Sequence, residues 1–201
     1  MSKDELVWVI PRKLWDEYID FEGFRKDANG EVYRFLLENG QFKPRKEMEQ
    51  DFNWKQVIPQ GLLRYQDKVY VNERLPKQSE TRLVYSYSLG VGGHLNPDDD
   101  LIPHMDLIQL GLHREMAEEV KIPVPFSPKY IGLTNDENQE VSRVHVGVWF
   151  EVQVLSMDVA VKETEKIRGF WSSINNLKIL APKFESWASI VYKEYLAKSK
   201  G

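Results

Sequence analysis

The stretch Leu112-His-Arg-Glu-Met-Ala-Glu-Glu-Val-Lys-Ile122 sets three carboxylates and one guanidinium inside a helical pattern. At about 100° per residue, Glu115, Glu118 and Glu119 share one arc of a helix, and that arc borders the apolar stripe of Ile108, Leu112 and Met116. Their charges stand at the edge of a core, where like charges four apart repel and solvent screening is reduced. Arg114 offers one compensating charge, and a divalent cation offers two. Oxygen donors without a thiol suit a hard ion, so Mg²⁺ or Mn²⁺ is expected in preference to Zn²⁺. The same residues also fit the solvated face of an ordinary amphipathic helix. The chain ahead of them favours the ion. A strand ending in Gly92-Gly93, a loop and then this helix bring backbone carbonyls and amides beside the carboxylates, which suits gripping a metal and a phosphate together.

The segment Arg114-Glu115-Met116-Ala117-Glu118-Glu119-Val120-Lys121-Ile122 resembles the second half of the Nudix box, G-x5-E-x7-R-E-U-x-E-E-x-G-U, where U is apolar. Asp106 stands where the box has its first Glu, and Gly93 stands for its opening glycine. The chain departs from the pattern twice: 12 residues separate Gly93 from Asp106 where the box has five, and Lys121 replaces the box glycine. The insertion falls in the loop Asn96 to Pro103, ahead of the metal-binding half. The order of the later elements is similar too, with an acidic loop Lys162-Glu-Thr-Glu165, a Trp-containing strand Gly169-Phe-Trp171 and a closing helix. The expanded loop and the long N-terminal arm look most like the predicted phosphoesterases of MutT type.

The resemblance implies a hydrolase that cleaves the pyrophosphate bond of a nucleoside diphosphate linked to another moiety. Water attacks phosphorus while divalent ions neutralise charge on the phosphate oxygens. Carried over by position, Glu115, Glu118, Glu119 and the backbone carbonyl near Gly92 would hold Mg²⁺ or Mn²⁺, with Arg114 orienting the carboxylates. The general base would come from the box helix or from the later loop, where Glu163 stands ahead of Glu165. Among Arg64, Arg74 and Arg82, Arg74 is the first choice to clamp substrate phosphate, and His94 could touch it. His145 alternates with Val144 and Val146, which points it to the other sheet face and reads as a strand histidine rather than a catalytic one. The alternative class is a non-catalytic Nudix-like module that binds a nucleotide. An isoprenyl diphosphate isomerase is disfavoured, because those enzymes use a cysteine.

The elements that must position these residues form an α/β pattern: a Nudix-type α/β/α sandwich with a mixed sheet between helices, plus an N-terminal arm. Residues 1–55 form the arm and 56–201 the hydrolase domain. In the arm, Leu6 to Ile10 suits a strand, Lys13 to Phe24 a short helix, and polar Gln41 to Lys55 an exposed connection or short helix. Gln60 to Tyr65 and Lys68 to Arg74 read as a hairpin, and Leu83 to Leu95 as a strand. A helix follows from about Met105 to Lys121, halted by Pro123 and Pro125. Strands resume at Lys129 to Thr134 and Arg143 to Leu155, and Pro182 to Lys198 closes the chain as a helix.

Composition excludes other classes. There is no cysteine among the 201 residues, which removes disulfides, thiolate zinc sites, iron–sulfur clusters and cysteine nucleophiles. With 27 basic against 31 acidic residues, no stable nucleic-acid complex is expected. No apolar run long enough for a membrane span and no apolar signal core appear, so a cytoplasmic protein with a small-molecule nucleotide or related pyrophosphate substrate is expected. A homodimer is compatible with the sequence.

Overall fold

The computed structural model describes residues 5–76, 85–97, 104–123 and 126–198. Arg82, the start of the strand expected from Leu83, and most of the expanded box loop lie outside the described residues.

The arm supplies β1 (Leu6–Pro11), α1 (Arg12–Tyr18), β2 (Gly23–Arg25), α2 (Glu31–Glu38), β3 (Gln41–Pro44) and α3 (Arg45–Met48). Then come β4 (Trp54–Tyr65), β5 (Lys68–Arg74), β6 (Tyr87–Ser88), α4 (Leu107–Glu119), β7 (Val120–Lys121) and β8 (Pro128–Asn135). The chain ends with α5 (Glu140–Arg143), β9 (His145–Gln153), β10 (Ala160–Val161), β11 (Ile167–Ser173), α6 (Leu177–Leu180) and α7 (Ser186–Val191), which runs on into a π-helical turn over Tyr192–Leu196.

The main sheet runs β11-β5-β4-β9-β8-β2, with β1 and β3 continuing from β4 and β6 lying beside β5. The central pair β4 and β9 is parallel, from Gln56 against His145 to Arg64 against Gln153, and the other pairings are antiparallel. β9 is buried on both faces, as expected of a central strand. One core holds Trp15, Leu36, Ile108, Leu112, Met116 and Phe150, joining α1, α2 and α4 to the sheet. The other holds Leu62, Val71, Trp149, Leu177, Ala188 and Val191 under α6 and α7. The sheet is therefore sandwiched between helices.

Three sequence expectations are corrected. The polar run from Gln41 forms the expected short helix only over Arg45–Met48; ahead of it, in place of an exposed connection, β3 pairs with β1 in register Val9 to Gln41 and Leu6 to Pro44, over a small core of Val7, Val9 and Met48. An edge strand buries too little to show in composition. The first helix stops at Tyr18, because Asp20 (φ 23°) and Gly23 (φ 88°) turn the chain into β2. At Gly23 a side chain would also collide with the Glu194 carboxylate, 2.7 Å from the position a Cβ would take. The closing helix is interrupted, since Phe184 and Glu185 are extended and the Glu185 amide donates to the Tyr87 carbonyl at 3.0 Å. That strand-like contact with β6 overrides helical propensity and turns Glu185 inward.

The hairpin β4/β5 matches expectation, turning at Gln66 with φ 54°. So does α4, whose start is fixed by a capping box. The Asp106 carboxylate accepts from the Gln109 amide at 3.0 Å, and the Gln109 side chain accepts from the Asp106 amide at 3.2 Å. Met116 and Leu112 pack on Gly61 of β4, where a Cβ would come within 2.8 Å of the Met116 sulfur. Among the described residues no helix is long and apolar enough to cross a membrane.

Candidate active site

The segment Gly90–Leu95 threads between β4 and α4. Val91 makes a two-way backbone bridge with Gly61, at 2.7 and 3.1 Å. A side chain at Gly92 would strike the Pro59 carbonyl, and a Cβ at Gly93 would lie 2.6 Å from the Glu115 carboxylate. The diglycine lets the backbone run against the strand on one side and the helix carboxylate on the other.

Arg114 ties the two together. Its guanidinium donates to Glu115 Oε1 at 2.7 Å and to the His94 carbonyl at 2.6 Å, and lies 3.5 Å from Glu118. Glu115 is 14% exposed and Glu118 60%, so the arc of carboxylates runs from the protein edge into solvent. Glu119, one turn beyond Glu115, lines a cavity of about 900 Å³ together with Gly92, Gly93, His94 and Arg74. Burial pushes its carboxyl up to about 7, and the charges of Glu115, Glu163 and Glu118 push the same way against Arg74.

Arg74, at the end of β5, is ion-paired through two nitrogens with Glu185, whose Oε1 also accepts from the Ser86 hydroxyl at 3.1 Å. His94 is held neutral, its imidazole pushed down to about 2 by burial and then by Arg45, His145 and Arg114, and its Nε2 is buried without a partner. Glu163 is 59% exposed, 3.0 Å from Lys166, and reaches the site through its charge on Glu119 rather than as part of the cavity wall. Arg64 pairs with Glu151 at 3.0 Å, away from the cavity. The cavity wall thus holds Glu119, Gly92, Arg74 and His94; Arg114 and Glu115 lie beside it, tied to the His94 carbonyl and packed on Gly93, and Glu118 and Glu163 are not part of the wall.

Several cavity residues were missed by the sequence reading: Asn72, His145, Glu185 and Trp187. The signal for His145 was present, since the period of two puts it on one face of β9 with Gly147 and Trp149. Glu185 could not be found, because it depends on the break between the 3₁₀ turn and α7.

Carboxylate oxygens suit a hard divalent ion, and burial, followed by the charge of Glu115, pushes Glu119 up to about 7. Among the described residues no three His, Asp or Glu side chains are already gathered into a metal-holding group.

No protein-family model matches the chain. Protein YmaB of Bacillus subtilis (strain 168) is 30% identical over 197 residues, which is 94% of this chain and 96% of that protein. The crystal structure of Tm1382, a candidate Nudix hydrolase, superposes with a TM-score of 0.80 at 30% identity, over 96% of this chain and 100% of that one. The chain belongs to the Nudix superfamily. The MutT protein of Methanosarcina mazei Go1 shares the Nudix fold, with a TM-score of 0.53 at 20% identity over 72% of this chain and 95% of that one. α4 carries the segment that resembles the second half of the Nudix box and is called the box helix below.

Proposed function

We propose that the chain is a divalent-metal-dependent hydrolase that cleaves the pyrophosphate bond of a nucleoside diphosphate linked to another moiety. The observation that carries this reading is the placement of Glu119 in the wall of the cavity, next to Glu115 and within the field of Arg74. A carboxylate so crowded gains most from a cation, and a guanidinium beside it offers a counter-charge to phosphate.

Glu115, Glu118, Glu119 and the carbonyl near Gly92 would hold Mg²⁺ or Mn²⁺, which would supply charge neutralisation on the phosphate oxygens. Arg114 fixes Glu115 and the His94 carbonyl in one arrangement, so helix and loop present their oxygens together. Arg74 and His94 would receive substrate phosphate, Arg74 by exchanging its Glu185 partner for it. The arm of residues 1–55 serves as a positioning element, since β1 and β2 pair with strands of the domain.

The test is product release from nucleoside di- and triphosphates, ADP-ribose, sugar nucleotides, dinucleoside polyphosphates and NADH, with Mg²⁺ or Mn²⁺, beside a Glu119→Gln control. Metal-dependent turnover lost in the control supports the hydrolase. Equal traces from both proteins, with tight metal-independent binding of one compound, overturn it in favour of a nucleotide-binding module.

A further inference from the structure

The cavity is larger than a diphosphate requires. At about 900 Å³ it has room for a whole small molecule, and the hydrolase reading gives work only to the part of the wall around Glu119, Gly92, Arg74 and His94. The rest of the wall carries four large aromatic side chains, Tyr85, Trp149, Phe184 and Trp187. Three are committed to the protein. Trp149 is buried and donates through its indole nitrogen to the Thr134 hydroxyl at 2.9 Å. Phe184 is half-buried and packs edge-on against Tyr192, with centroids 5.6 Å apart. Trp187 is half-buried and wedged against Gly147, where a Cβ would come within 3.0 Å of its ring.

Tyr85 differs. It is 54% exposed, and among the described residues its ring packs on no other aromatic ring and its hydroxyl makes no hydrogen bond. The backbone holds it there against preference. Its φ is 63°, the left-handed region that a bulky side chain rarely takes. The Tyr85 amide donates to the Arg74 carbonyl at 2.8 Å, and the Arg74 amide donates to the Ser86 carbonyl at 3.0 Å. Unfavourable backbone of this kind is kept where a ligand is clamped. These two bonds root the exposed ring and the Arg74 guanidinium on adjoining backbone, and the charge of Arg74 in turn reaches Glu119.

The wall also holds polar atoms with nothing to bond. Asn72 Oδ1, His94 Nε2 and Trp187 Nε1 are buried without a hydrogen-bond partner, and all three residues line the cavity. Asn72 is 5% exposed and uses its amide nitrogen on the Gly90 carbonyl, which leaves the oxygen over. A purely apolar occupant would leave such atoms unpaired. A nucleobase suits both features, since its faces stack and its edge carries donors and acceptors.

We propose, on the footing of the hydrolase reading, that Tyr85 is the platform on which the base of the nucleotide stacks while Arg74 takes the diphosphate. Tyr85 thereby selects nucleotides over diphosphates that carry no aromatic ring.

The experiment is calorimetric titration of the full chain in Mg²⁺ with methylenediphosphonate and with the α,β-methylene analogues of ADP, GDP, CDP and UDP, whose phosphorus–carbon link is not hydrolysed. At least one analogue is expected to bind wild type more tightly than methylenediphosphonate does. Tyr85→Ala should weaken that analogue about 10–100-fold, and Tyr85→Phe should bind it as wild type does, because stacking needs the ring and not the hydroxyl. Methylenediphosphonate should bind all three proteins alike, which also checks that the variants keep their fold. An unchanged affinity in Tyr85→Ala, an equal loss for both kinds of probe, or a Tyr85→Phe as weak as Tyr85→Ala would overturn the platform. The two readings fail differently: analogues no tighter than methylenediphosphonate, beside metal-dependent turnover that needs Glu119, remove the platform alone, whereas a wild type that binds no probe and turns over nothing removes both.

Discussion

The Tyr33 hydroxyl lies within hydrogen-bond distance of both carboxylate oxygens of Asp106, 2.8 Å from one and 2.9 Å from the other. Tyr33 belongs to α2 in the arm and Asp106 caps the box helix, so the arm holds the start of the element that carries the acidic site. Tyr33 also packs on Tyr130 and Phe150, with centroids 4.8 and 6.1 Å away. Replacing Tyr33 with Phe keeps the packing and removes only the hydroxyl. A loss of about 1–2 kcal/mol is expected, read as a lower urea midpoint with an unchanged slope.

Arg114 bridges the box helix and the loop after the diglycine. Arg114→Ala should weaken Mn²⁺ binding about 10–100-fold, as the loss of an orienting partner does at metal sites. Arg114→Lys should recover little of this, because one ammonium cannot reproduce a fork that serves a carboxylate and a carbonyl at once. Calorimetric titration with Mn²⁺ checks both, and near-wild-type affinity in Arg114→Ala would count against the bridge.

Glu119 is destabilised by burial and by its neighbouring carboxylates when no cation is present. Glu119→Gln should therefore melt higher than the wild type in chelator at mildly alkaline pH. Adding Mg²⁺ should raise the wild-type melting temperature and close the gap. Thermal scans with and without metal decide the matter; a lower melting temperature for the variant in chelator contradicts it.

Away from the cavity, the Lys55 ammonium is fully buried and donates to Asn135 at 2.7 Å, Glu137 at 2.8 Å and the Arg143 carbonyl at 3.1 Å. Burial pulls Lys55 below its ordinary value, while hydrogen bonding and charge from Glu137 oppose that. Burial raises Glu137, but hydrogen bonds from Lys55 and Arg12 outweigh it and leave the carboxyl below the usual range. A carboxylate with a depressed folded value binds fewer protons folded than unfolded. Its stabilisation is full above about pH 4.5 and lost as pH falls through the folded value. Glu137→Gln should flatten this acid limb, and at neutral pH should cost about 1–3 kcal/mol, because the buried ammonium keeps only neutral acceptors. Urea melts at several acidic pH values test both effects.

The box helix was legible because its signals are local: the apolar spacing and the proline stops lie within or just beyond the segment. The β4/β5 hairpin was legible for the same reason, as its turn and its alternation adjoin. The arm was read less well, since β3 is polar and becomes a strand only by pairing with β1. At the site, the residues on α4 and the diglycine could be named from spacing. Glu185 could not, because its inward turn depends on backbone pairing between Phe184–Glu185 and Tyr87, more than ninety positions earlier. His145 had its face assigned correctly by alternation, but nothing local told which face borders the cavity.

The parallel pairing of β4 with β9 bears on how the molecule assembles. Parallel neighbours must be joined by a long crossover, and here that crossover contains the hairpin return, the box helix and β8. During synthesis, β4 and α4 leave the ribosome before β9 exists, so Leu112 and Met116 have Gly61 to dock on while the far edge of β4 stays unpaired. The central ladder closes only when Val146 to Val152 arrive, which makes the slowest step of folding a non-local one. His145 opens that late strand and Glu119 closes the early helix, so the two walls of the cavity meet only at this final closure.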